Sequence, residues 1–231
     1  DASSVTSAGR AAKRIGVAAL AVKGTANAVV TLTGYSTGVD VFGEDEAGAP
    51  GMSTLLKLLF ANGASTVYAV RLDAGGGLEA YQAAFAALAN CDVQVVVCDS
   101  SELTIQKALK TAVETASAAR GERIGVIGGS GDTAAQLVTR AAAVNSERMV
   151  LVGPDMKDEN GTELPGVFAA AAVAGAIACG SDPAMPLNGA ELYGIGGLQS
   201  VYSDNDIDLL VQGGVTPLED VGGVVSPVRG I

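Results

Sequence analysis

The chain has 231 residues, a net charge of −11 and no histidine. An acidic balance of that size argues against a nucleic-acid partner, because neutralising phosphates takes clustered Lys and Arg. Hydrophobic residues make up 48% of the sequence, yet aromatics are only 4% and tryptophan is absent, so the core has to be assembled from Ala, Val, Leu and Ile in close helix–sheet contact.

Residues 1–9 are small and polar and read as a loop or the end of an arm. Strands are expected at 14–22 and 28–33, with Gly24 and Asn27 marking the turn between them. Ser36 is a candidate cap for a short helix at 38–42, and Glu44, Asp45 and Glu46 form an acidic cluster on the loop that follows. The run at 52–61 has helical apolar spacing and stops at Asn62-Gly63. A regular alternation then sets in: strand 66–72, helix 78–89, strand 93–98, helix 103–119, strand 123–127, helix 132–144 and strand 149–152. Strand and helix alternating at this spacing mean βαβ units, right-handed crossovers and a mainly parallel sheet. The fold class expected is a three-layer α/β fold.

Residues 145–179 are the centre of this pattern. Met149 to Val152 form a continuous apolar run, suited to a strand covered on both faces. Pro165 then sits where a helix tolerates the missing N–H, in its first turn. From Val167 to Cys179 every side chain is apolar or glycine, so the helix has no face to give to water and has to be packed all round, with Phe168, Val173 and Ile177 buried. It is too short to span a bilayer. After residue 182 the pattern loosens. A helix with an acidic N-terminus is expected at 204–212, ended by Gly213-Gly214, and an edge or antiparallel strand at 221–228, where Pro227 interrupts the ladder. Cys91, Cys98 and Cys179 lack metal or redox spacing and read as reduced, buried thiols. No signal peptide or transmembrane segment is evident.

Three motifs invite a chemical reading. Gly128-Gly129-Ser130-Gly131-Asp132 resembles a nucleophile elbow, but Asp132 replaces the second glycine and there is no histidine to activate Ser130. The same loop imitates a dinucleotide-binding turn, yet a carboxylate at Asp132 would repel a pyrophosphate, and Asp132 or Thr133 is better placed as a helix N-cap. Asp73, Asp99 and Asp155 follow strands, at the edge where parallel α/β folds bind ligands and magnesium. The alternative function is accordingly a doubly wound nucleotide- or Mg-dependent enzyme using these three carboxylates. Loop positions attract Asp in any case, and no phosphotransfer motif accompanies them.

NSERMVLVGPD at 145–155, the Ala/Gly-rich helix after it and GSDPAMPLN at 180–188 together resemble the core signature of contractile tail sheath proteins. So do LYGIGGLQ at 192–199, SDNDIDLLVQGGVTPL at 203–218, VVSPVRGI at 224–231 and, upstream, PGMSTLLKLLFANGASTVYAVRL at 50–72. The resemblance implies a subtilisin-like α/β core over residues 1–198 and the opening of a C-terminal domain over 199–231, in a chain lacking the family's terminal arms. It implies a structural, non-enzymatic subunit without cofactor or metal, stacked in hexameric rings around a tail tube, with baseplate and terminator proteins as further partners and neither nucleic acid nor membrane. It places the protein in the virion tail, after synthesis in the bacterial host cytoplasm. For such a subunit the candidate interface residues are the basic Arg10, Lys13, Arg14 and Arg229 and the acidic Glu44, Asp45 and Glu46, which would set register between neighbours.

Overall fold

The structure is a computed structural model and describes residues 13–73, 75–180 and 186–229. Residues 1–9 and Arg10, and the last two residues of the chain, lie outside the described part.

The chain begins with β1 (Ile15–Ala19), β2 (Val29–Leu32), α1 (Tyr35–Phe42), α2 (Met52–Ala61) and β3 (Val67–Arg71). The alternation that follows is α3 (Leu78–Ala89), β4 (Val95–Cys98), α4 (Leu103–Ala118), β5 (Ile124–Gly128), α5 (Ala134–Val144) and β6 (Met149–Gly153). A short hairpin, β7 (Met156–Lys157) and β8 (Glu163–Leu164), leads into α6 (Gly166–Cys179). The last elements are β9 (Gly197–Leu198), α7 (Asp204–Gln212), β10 (Val215–Val221) and β11 (Val224–Pro227).

Eight strands form one sheet in the order β11-β10-β6-β5-β4-β1-β3-β2. From β10 to β3 every neighbouring pair is parallel, and the two edge strands are antiparallel. β1 and the core of β4 are apolar and buried on both faces, as expected for strands covered by helices on either side. One face carries α1, α2 and α6, and the other carries α3, α4, α5 and α7. This is the three-layer fold that the alternation implies.

The apolar helix α6 lies against β5, β6, β4 and α2. Phe168 is 2% exposed, Val173 is 0% and Ile177 is 9%. Its small residues permit very close approach: a Cβ added at Gly175 would sit 2.7 Å from the Leu59 carbonyl oxygen of α2.

Several local expectations are corrected. Ser36 lies inside α1, whose N-cap is Gly34, so no side chain caps that helix. Pro165 is the N-cap of α6 rather than a first-turn residue. The strand expected at 221–228 is the second half of a hairpin. Its first half, β10, enters the main sheet beside β6, and Gly222 and Gly223, with φ of 65° and 88°, make the turn. Residues 199–229 thus supply α7 and two strands to the same layers and sheet. Of the cysteines, Cys98 is buried and Cys91 half-buried, but Cys179 is exposed, because the last residue of α6 emerges at the edge of the molecule. β7, β8 and β9 form a separate three-stranded sheet whose strands are too short to leave any periodicity in the sequence.

Candidate functional site

In an open parallel sheet the ligand crevice lies where connections leave a strand in opposite directions. Here that strand is β1, flanked by β3 and β4. The crevice is closed by the protein's own groups. The Asp99 carboxylate, just past β4, accepts the backbone N–H of Leu20 at the end of β1 (2.9 Å) and the hydroxyl of Tyr81 on α3. Burial pushes the Asp99 carboxyl up to about 6, against the pull of those two hydrogen bonds. Burial and the Asp99 charge beside it also push the Tyr81 hydroxyl far above its usual range.

Asp155, beyond β6, is equally committed. One oxygen accepts the N–H of Gly166 at the start of α6 (2.8 Å), and the other accepts the N–H of Gly131 (2.6 Å). The end of α6 that could bind an anion is therefore occupied by a fixed carboxylate. Asp73, past β3, is exposed. Among the described residues, no three acidic, cysteine or histidine side chains gather in a way that could hold a metal ion. Asp73, Asp99 and Asp155 share an edge of the sheet but not a site.

The loop around Ser130 is built for structure as well. Thr133 and Gln136 form a capping box on α5, which settles the N-cap on Thr133. Asp132 pairs with Arg140 at 2.8 Å, and both side chains are largely buried. Arg140 also donates to the Ser101 carbonyl (2.7 Å) and to Gln106 Oε1 (3.2 Å), while Gln106 Nε2 donates to the Gly128 carbonyl (2.7 Å). Gln106 is fully buried. Sequence reasoning missed this network, although a glutamine among the inward-facing Ile105, Leu109 and Val113 of α4 is a visible signal for it.

Of the charged interface candidates among the described residues, Lys13 and Arg14 immediately precede β1. Lys13 donates to the carbonyls of Ile177 (2.9 Å) and Gly180 (2.8 Å), closing the C-terminus of α6. Arg14 pairs with Asp92 at the surface. Asp45 takes the N–H groups of Gly51, Ser53 and Thr54, at 2.8, 3.1 and 2.8 Å, and so caps α2. Glu44 and Glu46 are exposed beside it. They line a cleft of about 440 Å³ between the start of α2 and the β7–β8 hairpin, together with Asp158 and Glu163. Arg229 is exposed beyond the edge strand β11. Among the described residues, no ion pair joins these basic and acidic candidates.

The Asn145–Met149 segment of the quoted signature lines a larger pocket, of about 660 Å³, with Gly213 and Gly214 on its far wall. Asn145 adopts a left-handed conformation (φ 45°) that ends α5 and turns the chain into β6. No helix among the described residues is long and apolar enough to cross a membrane.

Comparison with known proteins gives a consistent result. A model of the phage tail sheath protein central domain matches residues 74–229. The tail sheath protein of Bacillus phage SP01 is 31% identical over 147 residues, which is 61% of this chain. The matched part is a quarter (25%) of that protein's length. Among solved structures, the sheath tail protein of Desulfitobacterium hafniense is similar with a TM-score of 0.77 at 12% identity, over 94% of this chain and 71% of that one. The helical sheath of the anti-feeding prophage in its contracted state gives 0.71 at 14% identity, over 95% of this chain and 61% of that one. At these identities the solved structures speak for the fold.

Proposed function

This chain belongs to the phage tail sheath protein family, and from that membership we propose that it is a structural subunit of a contractile tail sheath. In this reading copies polymerise around a tail tube and contract to drive the tube through a target cell envelope. The observation that carries it is the family match across residues 74–229. The way the carboxyl edge of the sheet is filled supports it: Asp99 and Asp155 spend their oxygens on backbone amides and a tyrosine, where an enzyme would aim them at substrate.

Self-association into hexameric rings stacked helically, contacts with tube, baseplate and terminator proteins, residence in the virion tail and synthesis in the host cytoplasm are part of the same proposal. Electron microscopy of the protein at its full natural length tests it directly. Helical tubes or stacked rings are expected. Particles that stay dispersed at high concentration, together with a saturable thermal stabilisation by a nucleotide with magnesium, would overturn the reading in favour of an enzyme.

A further inference from the structure

Asparagine followed by glycine occurs three times in the chain, at 62–63, 160–161 and 188–189. Asparagine is a thermolabile residue, and a glycine after it leaves no Cβ to keep the next backbone nitrogen away from the carboxamide carbon. The fold treats the three pairs differently. Asn62 is buried, and its carboxamide is held on both sides. Its Nδ2 donates to the carbonyls of Leu58 (2.8 Å) and Tyr193 (2.9 Å), and its Oδ1 accepts the Tyr193 N–H (2.9 Å). A Cβ at Gly63 would fall 2.7 Å from Cys179 Sγ, so the backbone there is crowded. Asn188 is exposed, but the N–H of Gly189 donates to the Pro227 carbonyl of β11 at 2.9 Å, which ties it to the main sheet. Asn160 is exposed in the turn between β7 and β8. The Gly161 N–H reaches only the Asp158 carbonyl of the same turn (2.9 Å), and nothing lies within 4 Å of a Cβ added at Gly161. Both strands of this hairpin are two residues long, so its end opens at small cost.

We propose that Asn160 is a site of spontaneous deamidation and the first of the three pairs to convert. The backbone nitrogen of Gly161 attacks Cγ of Asn160 and forms a new C–N bond. The bond from Cγ to the side-chain nitrogen breaks, and that nitrogen takes up the amide proton and leaves as ammonia. Water then opens the cyclic imide at either carbonyl, leaving aspartate or isoaspartate, with nothing oxidised or reduced. Either product adds a negative charge to the hairpin whose Asp158, Thr162 and Glu163 wall the 440 Å³ cleft. The step follows from the turn itself and does not depend on the sheath reading.

The test incubates the protein at its full natural length in mildly alkaline buffer and follows each pair by peptide mass spectrometry, which reads the mass gain of amide-to-acid conversion. Electron-transfer fragmentation separates isoaspartate from aspartate at position 160. In the folded protein Asn160 is expected to convert roughly tenfold faster than Asn62 or more, and faster than Asn188. In urea the three rates are expected to converge, because all three pairs have the same local chemistry once the fold is gone. Conversion of Asn62 or Asn188 first in the folded protein would sink the proposal and leave the sheath reading intact. So would an Asn160 that stays unconverted while the urea-unfolded chain reacts, or the same order of rates persisting in urea.

Discussion

Gly128, the last residue of β5, lies so close to Gly166, the first of α6, that a Cβ placed on it would fall 2.1 Å from the Gly166 carbonyl carbon. The obstacle is backbone on the far side as well as the near, so no rotamer change can make room. This contact seats the start of α6 directly against the carboxyl end of β5. Gly128→Ala is therefore expected to destabilise the fold by ~1–3 kcal/mol or more, read as a lower urea midpoint. Gly77→Ala is the control, because nothing lies within 4 Å of the added methyl there and φ is not positive.

Phe168 is 2% exposed and packs within the larger of the two core clusters. The four residues that follow it along α6, Ala169 to Ala172, are alanines, which cannot reach across to fill a hole. Phe168→Ala is expected to cost ~3–5 kcal/mol. A melting temperature unchanged within error would contradict the packing described here.

The alternation of apolar strands with amphipathic helices was enough to read the parallel sheet and both helical layers, because each strand from β3 to β6 is bounded by Gly, Asn or Asp and each helix exceeds seven residues. β10 escaped because Pro217 interrupts Val215–Val221. Its missing N–H is tolerated at the end of the ladder, opposite Gly153. Two-residue strands such as β7 and β9 carry no period at all. At the carboxyl edge, the positions of Asp99 and Asp155 were legible but their partners were not. Whether a carboxylate after a strand faces solvent or a backbone amide depends on loops brought together from distant sequence, as Leu20 and Asp99 are.

Asp99 makes stability depend on pH. Its carboxyl sits at about 6 against an ordinary value of 3.8, so the folded state holds the proton more tightly than the unfolded one. The stabilisation this gives is complete below the ordinary value and is lost as pH rises through about 6. Relative to Asp99→Asn, the wild type is expected to lose stability between pH 4 and pH 7, as followed by melting temperature in matched buffers. A constant difference across that range would show that Asp99 titrates normally.

Ser130 is exposed on a loop held by the Asp132–Arg140 pair and the Thr133 cap. Ser130→Ala is expected to change neither melting temperature nor assembly. The hydroxyl is also expected to resist a serine-directed fluorophosphonate, since the chain has no histidine to activate it. Covalent labelling at this position would reopen the case for a hydrolase.

Lys13 separates a structural role from an interfacial one. Its ammonium group donates to the carbonyls of Ile177 and Gly180, at 2.9 and 2.8 Å, where α6 ends with no basic residue of its own in the last turn. A cation there satisfies free carbonyls and complements the negative end of the helix. Lys13→Met keeps the aliphatic stem and removes only the charge and the donors, so it is expected to cost about 1 kcal/mol of stability. Lys13→Arg is expected to recover part of that, because a guanidinium can still donate to both carbonyls. If the two variants instead melt like the wild type while Lys13→Met assembles poorly, then Lys13 serves the contact between copies and not the end of α6.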